Sequence, residues 1–229
     1  MARLSINLGW RDVPLSDTLE ARLGIPTVVD HNVRTFALAE SRYGRHDATS
    51  IAYLYVKTGV GLGIAINGEP FYGGSGGESH FGHFQLVENG TLCFCGARGC
   101  LTTVLSEPFL EQKLRKIAPW ADGELSVFER LHEESRQGNA AAVALEDEIG
   151  NHLAQALSSV VNLFTPDLVL FGGILSSAPE AFVRTVRERT RQRLFPLLRD
   201  DFRLEQTDSG DSAVVRGGAA VALETLHYA

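Results

Sequence analysis

From Asn139 to Phe164, apolar residues recur at three- and four-residue steps: Leu145, Ile149, Leu153, Leu157 and Val160 fall on one stripe. That spacing predicts a long helix, which Pro166 ends. Asn32 to Tyr43 has the same period, with Phe36, Leu38 and Ala39 facing inward and Gly44 as the stop. Further helices are predicted over 16–23, 106–117, about 124–135, 178–193 and 213–226. Between them lie runs rich in β-formers. Ser50–Val56 and Gly63–Ile66 flank the turn Thr58-Gly59-Val60-Gly61, Thr27–Val29 makes a brief strand, and Leu168–Phe171 is continuously apolar. Strands alternating with helices predict an α/β fold. No linker divides the chain convincingly.

The stretch from Gly73 to Gly99 breaks this pattern. It is dominated by glycine, polar residues and cysteine, a composition that cannot order itself by burying apolar surface. All three cysteines of the chain fall between positions 93 and 100, at its end, an odd and clustered set that suits a metal better than disulfides. The spacing His83-x9-Cys93-x-Cys95-x4-Cys100 supplies three thiolates and one imidazole, the closed tetrahedral set of a structural zinc site. Gly90, Gly96 and Gly99 provide the turns that fold the chain back on one ion. A closed set leaves no position for an activated water, so Zn2+ here is expected to be structural.

Bulk composition narrows the setting. At 229 residues, 44% hydrophobic and 21% charged, the chain has ordinary globular content. Its net charge of -7 argues against a surface made for a phosphate backbone. The arginines at 184, 187, 189, 191 and 193 are diluted by Glu180 and Glu188, and Phe182, Val183 and Val186 give the same helix a side to bury. They are read as a solvated face, not a nucleic-acid patch. No apolar run approaches the length of a spanning helix, and Met1–Trp10 lacks a signal-type core. A cytoplasmic protein without membrane contact is expected.

The zinc loop is also where the sequence resembles a known family. Gly82-His83 followed by Cys93-Phe-Cys95-Gly96-Ala-Arg-Gly99-Cys100 is similar to the zinc signature of the ROK family (repressors, open reading frames and sugar kinases). The resemblance continues upstream through Gly63-Ile-Ala-Ile-Asn-Gly68, Tyr72-Gly73 and Gly76-Gly77, and through the helix Ala37-Leu38-Ala39-Glu40. Downstream it takes in Leu170-Phe171-Gly172-Gly173. It implies an actin-like ATPase (ribonuclease H-like) fold, of which residues 1–229 resemble the C-terminal, sugar-sensing lobe, with the zinc loop at about 73–102. Neither an Asp-x-Gly-x-Thr phosphate hairpin nor a winged helix-turn-helix is found in the sequence. The expectation is a truncated chain lacking the N-terminal lobe, with DNA contacted only through that missing part.

The resemblance also implies positions for chemistry. Family sugar kinases place an Asn-Asp pair before the Ala-Leu-Ala-Glu helix, its aspartate acting as general base. Here that pair is His31-Asn32, and an amide has no useful basicity. His31 is the substitute base on a kinase reading. The family's Glu-x-Gly-His sugar motif reads His80-Phe81-Gly82-His83, and the glutamate two residues past the last cysteine is Thr102; Glu78 lies two positions from its counterpart. His31, Asn32, His80, His83 and Thr102 are therefore the implied sugar contacts, with two carboxylate acceptors lost. Gly59, Gly61 and Gly63 resemble a phosphate loop, and Gly172-Gly173 a nucleotide-base approach. Both are read as vestigial, structural turns.

These readings converge on a carbohydrate-sensing effector portion of a ROK-type transcriptional regulator, inactive as a kinase and self-associating. Two alternatives stay open: an ATP-dependent sugar kinase lobe, and a zinc-stabilised assembly module that binds no sugar.

Overall fold

The computed structural model describes residues 2–5, 8–73, 79–119, 125–207 and 212–227. In chain order the elements are β1 (Ala2–Ser5), β2 (Trp10–Val13), α1 (Leu15–Leu23), α2 (Asn32–Tyr43), β3 (Ser50–Val56), β4 (Val60–Ile66), β5 (Glu69–Pro70), α3 (Leu101–Leu105), α4 (Glu107–Ile117), α5 (Val127–Arg136), α6 (Ala140–Phe164), β6 (Leu168–Gly173), α7 (Glu180–Arg193), β7 (Leu204–Gln206) and α8 (Ser212–His227). β1 and β2 form an antiparallel hairpin; the remaining strands make one sheet in the order β5-β4-β3-β6-β7. β3, β6 and β7 run parallel, while β4 returns antiparallel to β3.

Side-chain alternation divides the sheet into two apolar faces. Ala52, Leu54 and Val56 of β3, Leu62 and Ile64 of β4, and Val169 and Phe171 of β6 join the main core with the stripe of α6. Ile51, Tyr53, Ala65, Leu168 and Leu170 point the other way, onto Phe36 and Ala37 of α2. α2 is buried on more than one side, from Val33 to Glu40. Its far face meets α8, where Leu38 packs with Ala220 and Val221. Thus α2 is a middle layer between the sheet and α8, whereas the periodicity alone implied a single inward face.

α6 matches its predicted span to one residue. Asn139 caps it by accepting from the amides of Ala141 and Ala142, and Thr165, in the left-handed region, closes it. The predicted helix 106–117 is α4, starting one residue later after Ser106, whose extended backbone separates it from a short helix that was not predicted, α3. Thr27–Val29 joins no sheet; Ser16 Oγ donates to the Thr27 carbonyl, and the Thr27 amide donates to Glu20 Oε1. The short strands β1, β2, β5 and β7 were not predicted; with two to four residues each they carry little periodicity. Glu78, and the expected helix start at 124, lie outside the described residues.

The arginine-rich helix α7 buries Phe182, Val183 and Val186 as expected. Its guanidinium groups serve neighbours within the chain: Arg187 donates to the Leu204 carbonyl, Arg189 pairs with Asp147, and Arg191 donates to the Arg199 carbonyl. Among the described residues no helix is long and apolar enough to cross a membrane.

Candidate functional site

The metal candidates come together as their spacing requires. His83 ends a short 3-10 turn, Phe81–His83, and Cys100 stands at the N-cap of α3. Between them the loop folds on itself through backbone bonds: the Leu86 and Val87 amides donate to the Gly99 carbonyl, and the Gly99 amide to that of Thr91. Cys93 and Cys95 sit on a tight knuckle, where the Cys93 amide donates to the Ala97 carbonyl and the Gly96 amide to that of Cys93. Gly96 has φ +94 and Gly99 φ +73, and a Cβ on Gly99 would meet the Val87 carbonyl oxygen at 1.7 Å. Only glycine fits there.

One donor atom from each of His83, Cys93, Cys95 and Cys100 lies within 4.8 Å of the others. Cys95 Sγ and Cys100 Sγ are 3.7 Å apart, as are Cys93 Sγ and His83 Nδ1. Zinc–sulfur bonds of about 2.3 Å at tetrahedral angles put two sulfurs about 3.8 Å apart, whereas a disulfide needs about 2.05 Å. The cluster therefore has the dimensions of a metal cage and not of a disulfide. Burial pushes the Cys100 thiol up to about 12, so a thiolate at that position calls for a cation beside it. Cys95, exposed, is lowered first by the hydrogen bond from the Ala97 amide. Burial, and after it the charge of His80, lowers His83 and favours the neutral imidazole that ligates metal.

The ligand-site candidates gather around the first half of β4. Val33, in the first turn of α2, lies over it so closely that a Cβ on Gly63 would sit 1.9 Å from the Val33 carbonyl oxygen. On Gly61 it would meet Val33 Cγ1 at 2.7 Å. Gly82 presses on the same strand, its Cβ position 2.1 Å from the Val60 carbonyl oxygen. The start of α2, with His31 and Asn32, and the turn carrying His80 and His83 are thereby anchored to one strand. Asn32 and His80 are exposed and His31 is half-buried. This is also the carboxyl end of the parallel strands, where Val56 pairs with Gly173 and where open α/β sheets receive ligands.

Thr102 behaves differently from the other candidates. Its hydroxyl donates to the Gly82 carbonyl at 2.8 Å and its side chain is buried, so it holds the Phe81–His83 turn in place. Of the glycines, Gly59 faces open space, while Gly61 and Gly63 make room for Val33. A Cβ on Gly172 would meet the Tyr53 hydroxyl, and one on Gly173 (φ +67) the Val56 carbonyl oxygen at 2.0 Å. Close packing alone accounts for these four.

Two neighbours, Asp30 and Arg34, went unnoticed in the sequence. Asp30 forms an ion pair with Arg34 and accepts from the His31 amide, and the buried Arg34 guanidinium lies 4.6 Å from the centre of the Tyr72 ring. The four-residue step from Asp30 to Arg34 was the available signal.

Comparison with known proteins fits this arrangement. A sequence model of the ROK family matches residues 4–225, and the chain belongs to the ROK family. A glucokinase from Halalkalibacterium halodurans is 31% identical, the match covering 93% of this chain and 69% of that protein. The DNA-binding transcriptional repressor Mlc of Escherichia coli is 27% identical, over 92% of this chain and 53% of Mlc. The chain thus spans about half the length of that repressor. In structure, a ROK family glucokinase from Streptomyces griseus, in complex with glucose and AMPPNP, has a TM-score of 0.81 at 28% identity, over 96% of this chain and 76% of that one. The fold is the α/β fold of ROK sugar kinases, of the actin-like ATPase class. Family members similar to this chain thus include both enzymes and repressors.

Proposed function

We propose that the chain is the carbohydrate-sensing portion of a ROK-type transcriptional regulator, unable to phosphorylate its ligand, with one structural zinc held by His83, Cys93, Cys95 and Cys100. The observation that carries this is the turn before α2. Asn32, at the general-base position, is an amide, and the carboxylate two residues away, Asp30, is engaged by Arg34. Loss of a general base typically costs about 10²–10⁴-fold in rate. An exposed amide still offers a sugar hydroxyl both a donor and an acceptor. His31, His80 and His83 complete the polar face, and Thr102 positions it from behind. Zinc fixes His83 and the adjoining turn, and so sets the shape of the cleft without taking part in chemistry.

On this reading residues 1–229 are one sensing lobe, and DNA is contacted only through a part of the protein outside them. Sugar binding acts by favouring one arrangement of subunits over another, which requires self-association. Exposed apolar side chains such as Leu163, Leu197 and Val215 are consistent with that. The test uses the intact protein: calorimetric titration with a panel of simple sugars, alongside an assay for sugar-dependent ADP release. Binding without turnover supports the proposal. ADP release abolished by His31→Ala would establish the kinase reading, which the 31% identity to a glucokinase favours. A zinc-loaded protein that binds no sugar in the panel would be an assembly module.

A further inference from the structure

An apolar cavity of about 200 Å³ opens beside His31, along the edge of β4 that β5 leaves uncovered. Val33, Leu62, Ile64 and Val160 line it as buried residues. Two aromatic pairs complete its walls: Phe71 meets Phe164 edge-on at 5.9 Å, and Phe81 stacks on Phe84 at 6.3 Å. Polar side chains are confined to His31, Arg34, Ser79 and Ser159. Of these, Arg34 is occupied by Asp30, and Ser159 donates to its own helix at Gln155.

An unsubstituted sugar is a poor occupant for such a space. Every hydroxyl buried there would forfeit its hydrogen bonds to water and find few partners. An apolar cavity of about 150 Å³ stays dry and takes up benzene, so this one has room for a six-membered aromatic ring. Its polar corner at His31 belongs to the face assigned above to the sugar. Resting on that reading, we infer that the preferred ligand is a glycoside with an apolar, flat substituent: the sugar lies on His31, Asn32 and His80, and the substituent enters the cavity between the aromatic pairs. A ring removed from water there should tighten binding roughly 10- to 100-fold over the methyl glycoside of the same sugar.

The experiment has two arms on the intact, zinc-loaded protein. In the first, fluorobenzene is titrated and followed by ¹⁹F NMR; in the second, matched methyl and phenyl glycosides are compared by calorimetry. Ser159→Trp, which fills the cavity, and Leu163→Asp, at a position 76% exposed and safe for folding, are run in parallel with their melting temperatures and zinc contents checked. Saturable fluorobenzene binding, a phenyl glycoside that binds more tightly, and loss of both in Ser159→Trp with a smaller effect in Leu163→Asp are expected. Equal affinities for the two glycosides with no fluorobenzene binding would overturn the inference and leave the sugar reading intact. Fluorobenzene binding without affinity for either glycoside would instead overturn the sugar reading, and the ligand class with it. A signal seen only on dilution to monomer would assign the cavity to a second copy of the chain and also overturn the inference.

Discussion

The α6 layer and the loop from Phe81 to Cys100 are built on opposite principles. α6 lays Leu145, Ile149, Leu153, Leu157 and Val160 against the sheet, and its position follows from removing that stripe from water. The loop has no apolar interior of its own; Leu86 and Val87 rest on the main core, Leu92 and Phe94 are exposed, and the remaining order comes from backbone bonds, two left-handed glycines and the four candidate ligands. One region tolerates change in proportion to buried volume, while the other depends on a few atoms, each indispensable. Conservative substitutions should therefore have unequal consequences in the two.

Cys100→Ser carries the largest expected effect. Structural zinc contributes on the order of 10 kcal/mol to folding in small peptide systems. Elemental analysis should fall from one zinc per chain to none, and amide exchange across 86–99 should lose its protection; a variant that keeps its metal would erase the contrast. Leu153→Ala comes next, at about 2–5 kcal/mol by denaturant titration, because its fully buried side chain would leave a cavity. Its zinc content should stay at one per chain, and a loss would show that the regions do not fail separately. Asn139→Ala removes the cap of α6 for about 1 kcal/mol, measured the same way, again with zinc retained.

The smallest effect is a pH dependence remote from the metal. Asp167 Oδ2 accepts from the Thr49 hydroxyl and from the Thr49 and Ser50 amides, tying the start of β3 to that of β6. The Thr49 hydroxyl first, then the Ser50 amide, lower its pKa. A lowered folded value means the contribution is present above the ordinary carboxylate pKa, near about pH 4, and disappears as pH falls through the folded value. Asp167→Asn should thus cost under about 1 kcal/mol at pH 7 and nothing near pH 2, by thermal melts across that range. A variant equally destabilised at both ends would assign the effect to packing.

The same contrast explains what could be read in advance. Helices with many turns repeat their signal, so α6 and α2 were placed to within a residue. The His83, Cys93, Cys95 and Cys100 cluster was legible because one histidine and three cysteines at tight spacing have few other uses. What escaped notice depends on contacts distant in sequence. Thr102 holding Gly82, and Val33 lying on Gly61 and Gly63, are invisible until the strand and the turn are side by side. The short helix α3 was missed because, buried at all five positions, it has no polar side to mark a helical period. The apolar cavity was hidden for the same reason: its residues come from α2, β4, α6 and the turn at Phe81, and none signals it alone.

Cys100 is both a candidate metal ligand and the residue that launches α3, whose five members are all sunk in the interior. The ionic cage and the greasy interior therefore share a hinge pin, one amino acid wide. Whatever tugs on the cage, a chelator or a shift in the neighbouring imidazole, pulls on Leu101 and Leu105 by a lever only a few bonds long. The loop is less an ornament on the molecule's outside than a handle fastened to its frame.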